Sequence, residues 1–208
     1  MVIVTSFKQK NNTETGIIKI ISNEEPLCPL CKGCLVYRDS RIRKAKNIIG
    51  ICICYLLRRL RCVTCNKIHI EIPDILLPYK HYDSKTIQSV IDGDEDATGC
   101  AADDSTIRRW KTSFTASASD ISQRLTSIYA IATDEKVPAE KSAEMLSLIK
   151  GREKHWLAFV MALLINNGHK LCTRFAFCPA GFCSILKEKS KINAKGGELI
   201  DKTFNDSS

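Results

Sequence analysis

Two cysteine pairs dominate the chemistry available to this chain. Cys28 and Cys31 stand in "CPLCKG" and Cys62 and Cys65 in "CVTCNK", each pair separated by two residues, with residues 32–61 between them. Two intervening residues let both sulfurs of one tight turn face the same point, with nearby backbone amides donating to them. This is the geometry of a zinc knuckle, and two knuckles supply four thiolates. A site filled by four thiolates leaves no position for water, so the expected cofactor is a structural zinc ion rather than a catalytic one. Gly33 and Asn66, just after the pairs, suit the positive φ that such turns require. A dithiol redox centre would open a helix after a strand, whereas both pairs here sit at strand turns.

The remaining thiols fit this pattern less well. Cys34, Cys52 and Cys54 fall on strand positions and are expected to act as small buried apolar groups. His169, Cys172, Cys178 and Cys183 near the end of the chain invite a second metal site, but their spacing is not that of paired knuckles, and buried or idle thiols are the plainer reading. His81 and His155 have no partner pattern and are read as structural.

Compartment and charge narrow the class of protein. The opening "MVIVTSFKQKNNTETG" has no basic region leading into an apolar run, so a cytoplasmic location is expected. There thiols stay reduced, and eleven cysteines, an odd count, do not suit a disulfide framework. The apolar run "WLAFVMALLI" is about half the roughly 20 residues of a membrane span, so no membrane partner is expected. The net charge is +8. Between Cys28 and Ile70, Lys32, Arg38, Arg41, Arg43, Lys44, Lys46, Arg58, Arg59, Arg61 and Lys67 stand against the one acid Asp39. Such a basic module is the footprint of a polyanion binder, with Arg41, Arg43 and Lys44 as candidate phosphate contacts. A merely solubilising basic surface is the plainer alternative.

The elements that must position these groups follow from periodicity. "CLVYRDSRIR" and "IGICICYLLRRLRC" read as two strands joined by a turn near "KAKN", and "KIHIEI" as a third, with Ile68, Ile70 and Ile72 on one face and His69 and Glu71 on the other. Pro73 and Pro78 end that strand and hold an extended connector. Ser84 caps a helix to about Asp92. After an acidic loop with room for a further short helical turn, Asp104 or Ser105 caps a second helix, with Ile107, Trp110 and Phe114 as an inward stripe. Arg108, Arg109 and Lys111 then face outward, as in the recognition helix of a helix-turn-helix, where arginine reaches guanine edges and neighbouring cations hold phosphates.

The expected fold class is therefore α+β: a small N-terminal β zinc ribbon, a helix-turn-helix and a C-terminal helical subdomain. The boundaries are an N-terminal extension over 1–26, ribbon and connector over 27–83, helix-turn-helix over 84–116, helical subdomain over 117–190 and a frayed tail over 191–208. In the subdomain, helices are expected from "SDISQRLTSIYAIAT", from Pro138 to Gly151 and through "REKHWLAFVMALLINNGHK". The last, apolar nearly all round, is its centre and a candidate homodimer interface.

"CPLC", "RLRCVTCNKIHIEIPDILLPYKHY" and "STIRRWK" resemble an uncharacterised bacterial family, a domain of unknown function in which a zinc ribbon precedes a helix-turn-helix. The connector is also similar to the N-terminal zinc-binding regions of insertion-sequence transposases. The resemblance covers about residues 28 to 114 and carries over Cys28, Cys31, Cys62, Cys65 and the "STIRRW" helix. It implies double-stranded DNA as partner and an association with mobile elements. "GCAADD" departs from it, being longer and more acidic than the expected turn.

Catalysis finds no support in the residues. The acids crowd into "DGDEDATGCAADD", a poor scaffold for the spaced carboxylates of a two-metal phosphoryl-transfer site, and there is no Gly-rich phosphate loop, nucleophile elbow or His-Glu-x-x-His. The expectation is a non-enzymatic, sequence-specific DNA-binding protein, either a regulator or a mobile-element accessory factor. The alternative is a zinc-ribbon adaptor that binds protein.

Overall fold

The computed structural model describes residues 1–134 and 138–169. Among these residues the chain is mixed α+β. The strands are β1 (Val2–Val4), β2 (Phe7–Asn11), β3 (Ile17–Ser22), β4 (Leu35–Lys46), β5 (Cys52–Cys62) and β6 (Ile68–Pro73). The helices are α1 (Ser84–Asp92), α2 (Asp104–Thr133), α3 (Ala139–Arg152) and α4 (Trp156–Asn166), with a 3-10 turn at Glu95–Gly99 inside the acidic loop. No helix among the described residues is long and apolar enough to cross a membrane.

The long β4–β5 hairpin sets the frame. Its turn is closed by Asn47, whose side-chain oxygen accepts from the Ile51 amide at 2.9 Å, and by Gly50 at φ 84°. From there the antiparallel register runs from Lys46 opposite Cys52 to Leu35 opposite Cys62, with a bulge between Tyr37 and Asp39. The hairpin thereby delivers both cysteine pairs to one end of the sheet. The other edge of β5 is shared: β6 pairs antiparallel with residues 59–61, while β3 pairs parallel with residues 54–56. The curled sheet therefore forks, with β1 parallel to β6 on one branch and β2 antiparallel to β3 on the other.

The first 26 residues, expected as an extension, supply half of the strands. "IIKIIS" alternates in the strand sense: Ile18 and Ile20 turn to the core while Lys19 is exposed. The face carrying Ile20, Ala45, Tyr55, Leu57 and Ile72 is buried with Leu76, Leu77, Ile87, Trp110, Phe114, Leu157 and Met161 in one continuous core that unites sheet and helices. Asn166 at the end of α4 clasps β1, its amide nitrogen donating to the Ile3 carbonyl at 2.8 Å and its oxygen accepting from the Ile3 amide at 2.9 Å.

Helix boundaries differ from expectation for local reasons. α1 is capped by Asp83 rather than Ser84, with the Asp83 carboxylate accepting from the Thr86 amide at 2.7 Å, and it ends on Gly93 at φ 77°. α2 is capped by Asp103, which accepts from Thr106. The expected break after Phe114 is absent, and α2 runs on to Thr133. "TASASD" holds no glycine or proline, and buried Trp110, Phe114, Ile121 and Leu125 stay in helical phase across it. Asp120, within this run, pairs with Arg124 one turn on at 2.8 Å. The boundary placed at residue 116 thus falls inside one helix. α4 is buried on most sides, with Phe159 its exposed large apolar side chain. Cys172, Cys178, Cys183 and the tail over 191–208 lie outside the described residues.

Candidate metal centre and basic surfaces

The two knuckles are built alike. In the first, the Cys28 amide donates to the Gly33 carbonyl at 2.9 Å and the Lys32 amide to the Cys28 carbonyl at 2.8 Å. In the second, the Cys62 amide donates to the Lys67 carbonyl at 2.9 Å and the Asn66 amide to the Cys62 carbonyl at 3.1 Å. The left-handed residue follows the second cysteine in both, Lys32 at φ 59° and Asn66 at φ 60°. Asn66 takes the role expected of it, whereas Lys32 rather than Gly33 bears the strained dihedral.

Gly33 is required for a different reason. A methyl group there would lie 2.3 Å from Thr64 Oγ1 and 3.2 Å from Cys62 Sγ, so the knuckles close on each other only where a side chain is missing. Gly33→Ala is accordingly expected to weaken metal binding by roughly 10- to 100-fold, the usual effect of displacing a ligand's supporting shell. Competition with a chromophoric chelator measures this, and Thr64→Gly in the same chain should recover part of the loss.

All four sulfurs meet. Cys28 Sγ lies 3.6 Å from Cys65 Sγ and Cys31 Sγ 3.5 Å from Cys62 Sγ, and the four ligand atoms fall within 4.8 Å of one another. Tetrahedral thiolates at about 2.3 Å from an ion would stand about 3.8 Å apart, so this cluster fits a metal. Amide donation from Cys65, at 3.5 Å from the sulfur, is the largest of the effects that lower the Cys62 thiol to about 6. Cys31 moves the other way: the Gly33 amide favours its thiolate, but Cys62, burial, Cys65 and Cys28 outweigh it and push the thiol up to about 12. Binding a cation therefore expels a proton from Cys31.

His69 completes the surroundings of the cluster. It is 3% exposed, with Nε2 3.4 Å from Cys28 Sγ and Nδ1 3.1 Å from the Met1 amino group. Burial, and then the charge of that amino group, hold the imidazole below its usual value. A neutral ring facing an ammonium donor at Nδ1 carries its proton on Nε2 and supports the sulfur. Alternation along "KIHIEI" places His69 and Glu71 opposite the isoleucines as expected, but it gave no sign that this face is also covered, with Glu71 1% and Ile68 46% exposed. Cys34 and Cys52, expected inside, are exposed, and Cys54 is half-buried.

The basic residues divide into committed and free groups. Arg58 is held by Glu71 through two bonds of 2.7 and 2.6 Å, and Arg59 chelates Asp39. Arg43, a candidate phosphate contact, is half-buried and donates to the carbonyls of Leu77 and Lys80, the latter at 2.9 Å, so it fastens the connector to β4. Burial, then the charge of Arg41, holds its guanidinium below the ordinary value. Arg41 and Lys44 are exposed and point to opposite faces of β4.

On α2, Arg108, Arg109 and Lys111 are exposed, while Trp110 and Phe114 are 4% and 6% exposed. Trp110 meets Tyr82 edge-on at 5.2 Å, and Lys46 Nζ stands over the Tyr82 ring, 5.8 Å from its centroid. Lys80, which periodicity did not single out, is lowered to about 8 by burial and then by the charge of Arg109. Arg41, Arg43, Lys80 and Arg109 thus form one electropositive region joining β4, the connector and α2.

Residues 28–110 match the family described as a domain of unknown function, DUF6431. No curated protein and no solved structure matches the chain. The matched span takes in all four cysteines, His69, the β4–β5 hairpin, α1 and the first turns of α2, and leaves out β1 to β3 and the later helices.

Proposed function

We propose that the protein binds double-stranded DNA in a sequence-specific manner, without catalysis, around a structural zinc ion held by Cys28, Cys31, Cys62 and Cys65. Four thiolates in a closed cluster suit zinc, and the ion would act by fixing the end of the β4–β5 hairpin. The observation that carries the DNA reading is the exposure of Arg108, with Arg109 and Lys111 to either side of it, on a helix whose roll is set by buried Trp110 and Phe114. α1 and α2 then act as a helix-turn-helix with an enlarged turn, and Arg41 and Lys80 extend the positive field beside it. A regulator or an accessory factor of a mobile element is the role such a module would serve.

Titrating Arg108→Ala and Arg109→Ala against preferred and scrambled duplexes tests this. Loss of a bidentate guanine contact should cost about 1 to 3 kcal/mol on the preferred site and much less on scrambled DNA. Equal losses on every duplex would leave only polyanion attraction. A protein-binding adaptor is favoured instead by exposed Leu27, Leu30, Val36 and Tyr37 around the first knuckle and β4. Its affinity would respond little to salt, whereas phosphate contacts weaken steeply as salt rises.

A further inference from the structure

The sheet gathers a second set of cations, three from β2 and β3 outside the basic hairpin and α2, joined by Lys44 of β4. On β2, Lys8 and Lys10 are exposed, and on β3 so is Lys19. Lys10 stands directly opposite Lys19, Lys19 is in register with Leu56, and Leu56 with Ile42. In the next row Ile17 is in register with Cys54 and Cys54 with exposed Lys44. Register residues share a face, so Lys8, Lys10, Lys19 and Lys44 all stand on the side opposite the core-facing Ile20, Tyr55 and Leu57. Strands about 4.8 Å apart make this a lysine-bearing plane about 14 Å across four strands.

Nothing in the described fold uses these charges. None of the four lysines is in an ion pair among the described residues; Glu71 is taken by Arg58, and Glu24 and Glu25 lie beside Arg58 and Leu60. Glu14 is in the exposed β2–β3 turn. Like charges placed directly opposite each other on adjacent strands are destabilising, so the Lys10–Lys19 pair costs stability and gains nothing within the chain. An external polyanion would reverse that sign. Phe7, Ile18 and Ile20 root the β2–β3 branch in the core, so the plane is held rigidly.

We infer that this outer sheet face binds the phosphate backbone of a second duplex, so that one chain bridges two DNA segments. The inference rests on the DNA reading of α2. Arg41 and Arg43 lie on the core-facing side of β4 with Ala45, whereas Lys44 lies on the outer side, so the two positive regions flank the sheet rather than merge. Contacts by lysine alone, with no aromatic side chain in the row Lys10, Lys19, Leu56 and Ile42, suit backbone attraction without base recognition.

A bead-bound duplex carrying the preferred site, loaded with protein, is offered a fluorescent duplex lacking that site. Wild type should capture the second duplex, with capture falling steeply as salt is raised. Lys8→Gln, Lys10→Gln and Lys19→Gln together should reduce capture about tenfold or more, through the loss of three phosphate contacts, while changing affinity for the first duplex less than about twofold. Since the repulsion is relieved, the triple variant should melt no lower than wild type. Bridging that persists undiminished in the triple variant overturns the proposal, as does wild type that holds the first duplex without capturing a second. Capture of phosphatidylserine vesicles but not of the second duplex overturns it as well. If wild type holds neither duplex and the Arg108 and Arg109 variants change nothing, the DNA reading itself has failed and this inference with it.

Discussion

Cys62→Ser is expected to abolish metal binding at the four-cysteine cluster and, with it, the cooperative fold of sheet and helices together. Cys62 is fully buried, contacts Cys31 and receives the Cys65 amide, so a hydroxyl there neither ionises nor reaches as a thiolate does. Structural zinc sites contribute about 10 to 16 kcal/mol of apparent binding free energy in small peptides, against a total stability of about 5 to 15 kcal/mol for an ordinary domain, and a metal held by four thiolates would act on that scale here. From the sequence alone, the damage would be confined to residues 28–72. The structure spreads it. Gly168 packs so closely on the first knuckle that a Cβ there would lie 2.6 Å from the Pro29 carbonyl oxygen, and Lys32 Nζ donates to the Asn166 carbonyl at 3.1 Å. Asn166 in turn clasps β1. Thermal unfolding followed by circular dichroism should therefore show one transition, lowered by tens of degrees in the variant, with no metal retained. An unchanged melting curve with metal still bound would refute the thiolate centre.

Trp110→Ala should be the most damaging change in the helical half. The indole is 4% exposed, meets Tyr82 edge-on and belongs to the core that joins α2 to the sheet. Removing it should cost about 3 to 5 kcal/mol, the range for a large buried aromatic, measured by urea unfolding. Binding losses in this variant would follow the unfolded fraction, whereas Arg108→Ala should keep full stability. A stability change below about 1 kcal/mol would mean the helix roll is not set by this contact and its arginines have no fixed aim.

What could be read from the sequence was whatever a short spacing or a clean period encodes. The two Cys-x-x-Cys turns, the hairpin between them and the inward Trp110–Phe114 stripe are local patterns, and the structure places them together as expected. What escaped depends on distant pairing. β2 and β3 are short, and β3 joins β5 in parallel, a partnership that no local turn announces. Without that register, Lys8, Lys10 and Lys19 fall in what reads only as an N-terminal extension. Likewise His69 reaches Cys28 only because β6 lies beside β5, and Arg43 looked free until the connector carbonyls closed over it. Helix α2 was divided too early because Ser119 and Asp120 have the composition of a cap, yet the apolar phase running through them decides the outcome.

Selection of bound duplexes from a random library by wild-type protein, purified without chelators, tests the central claim most directly. The account predicts enrichment of one short motif containing guanine, lost from the selection when Arg108 and Arg109 are replaced by alanine. Enrichment of no motif, with the same affinity for every duplex, would contradict it.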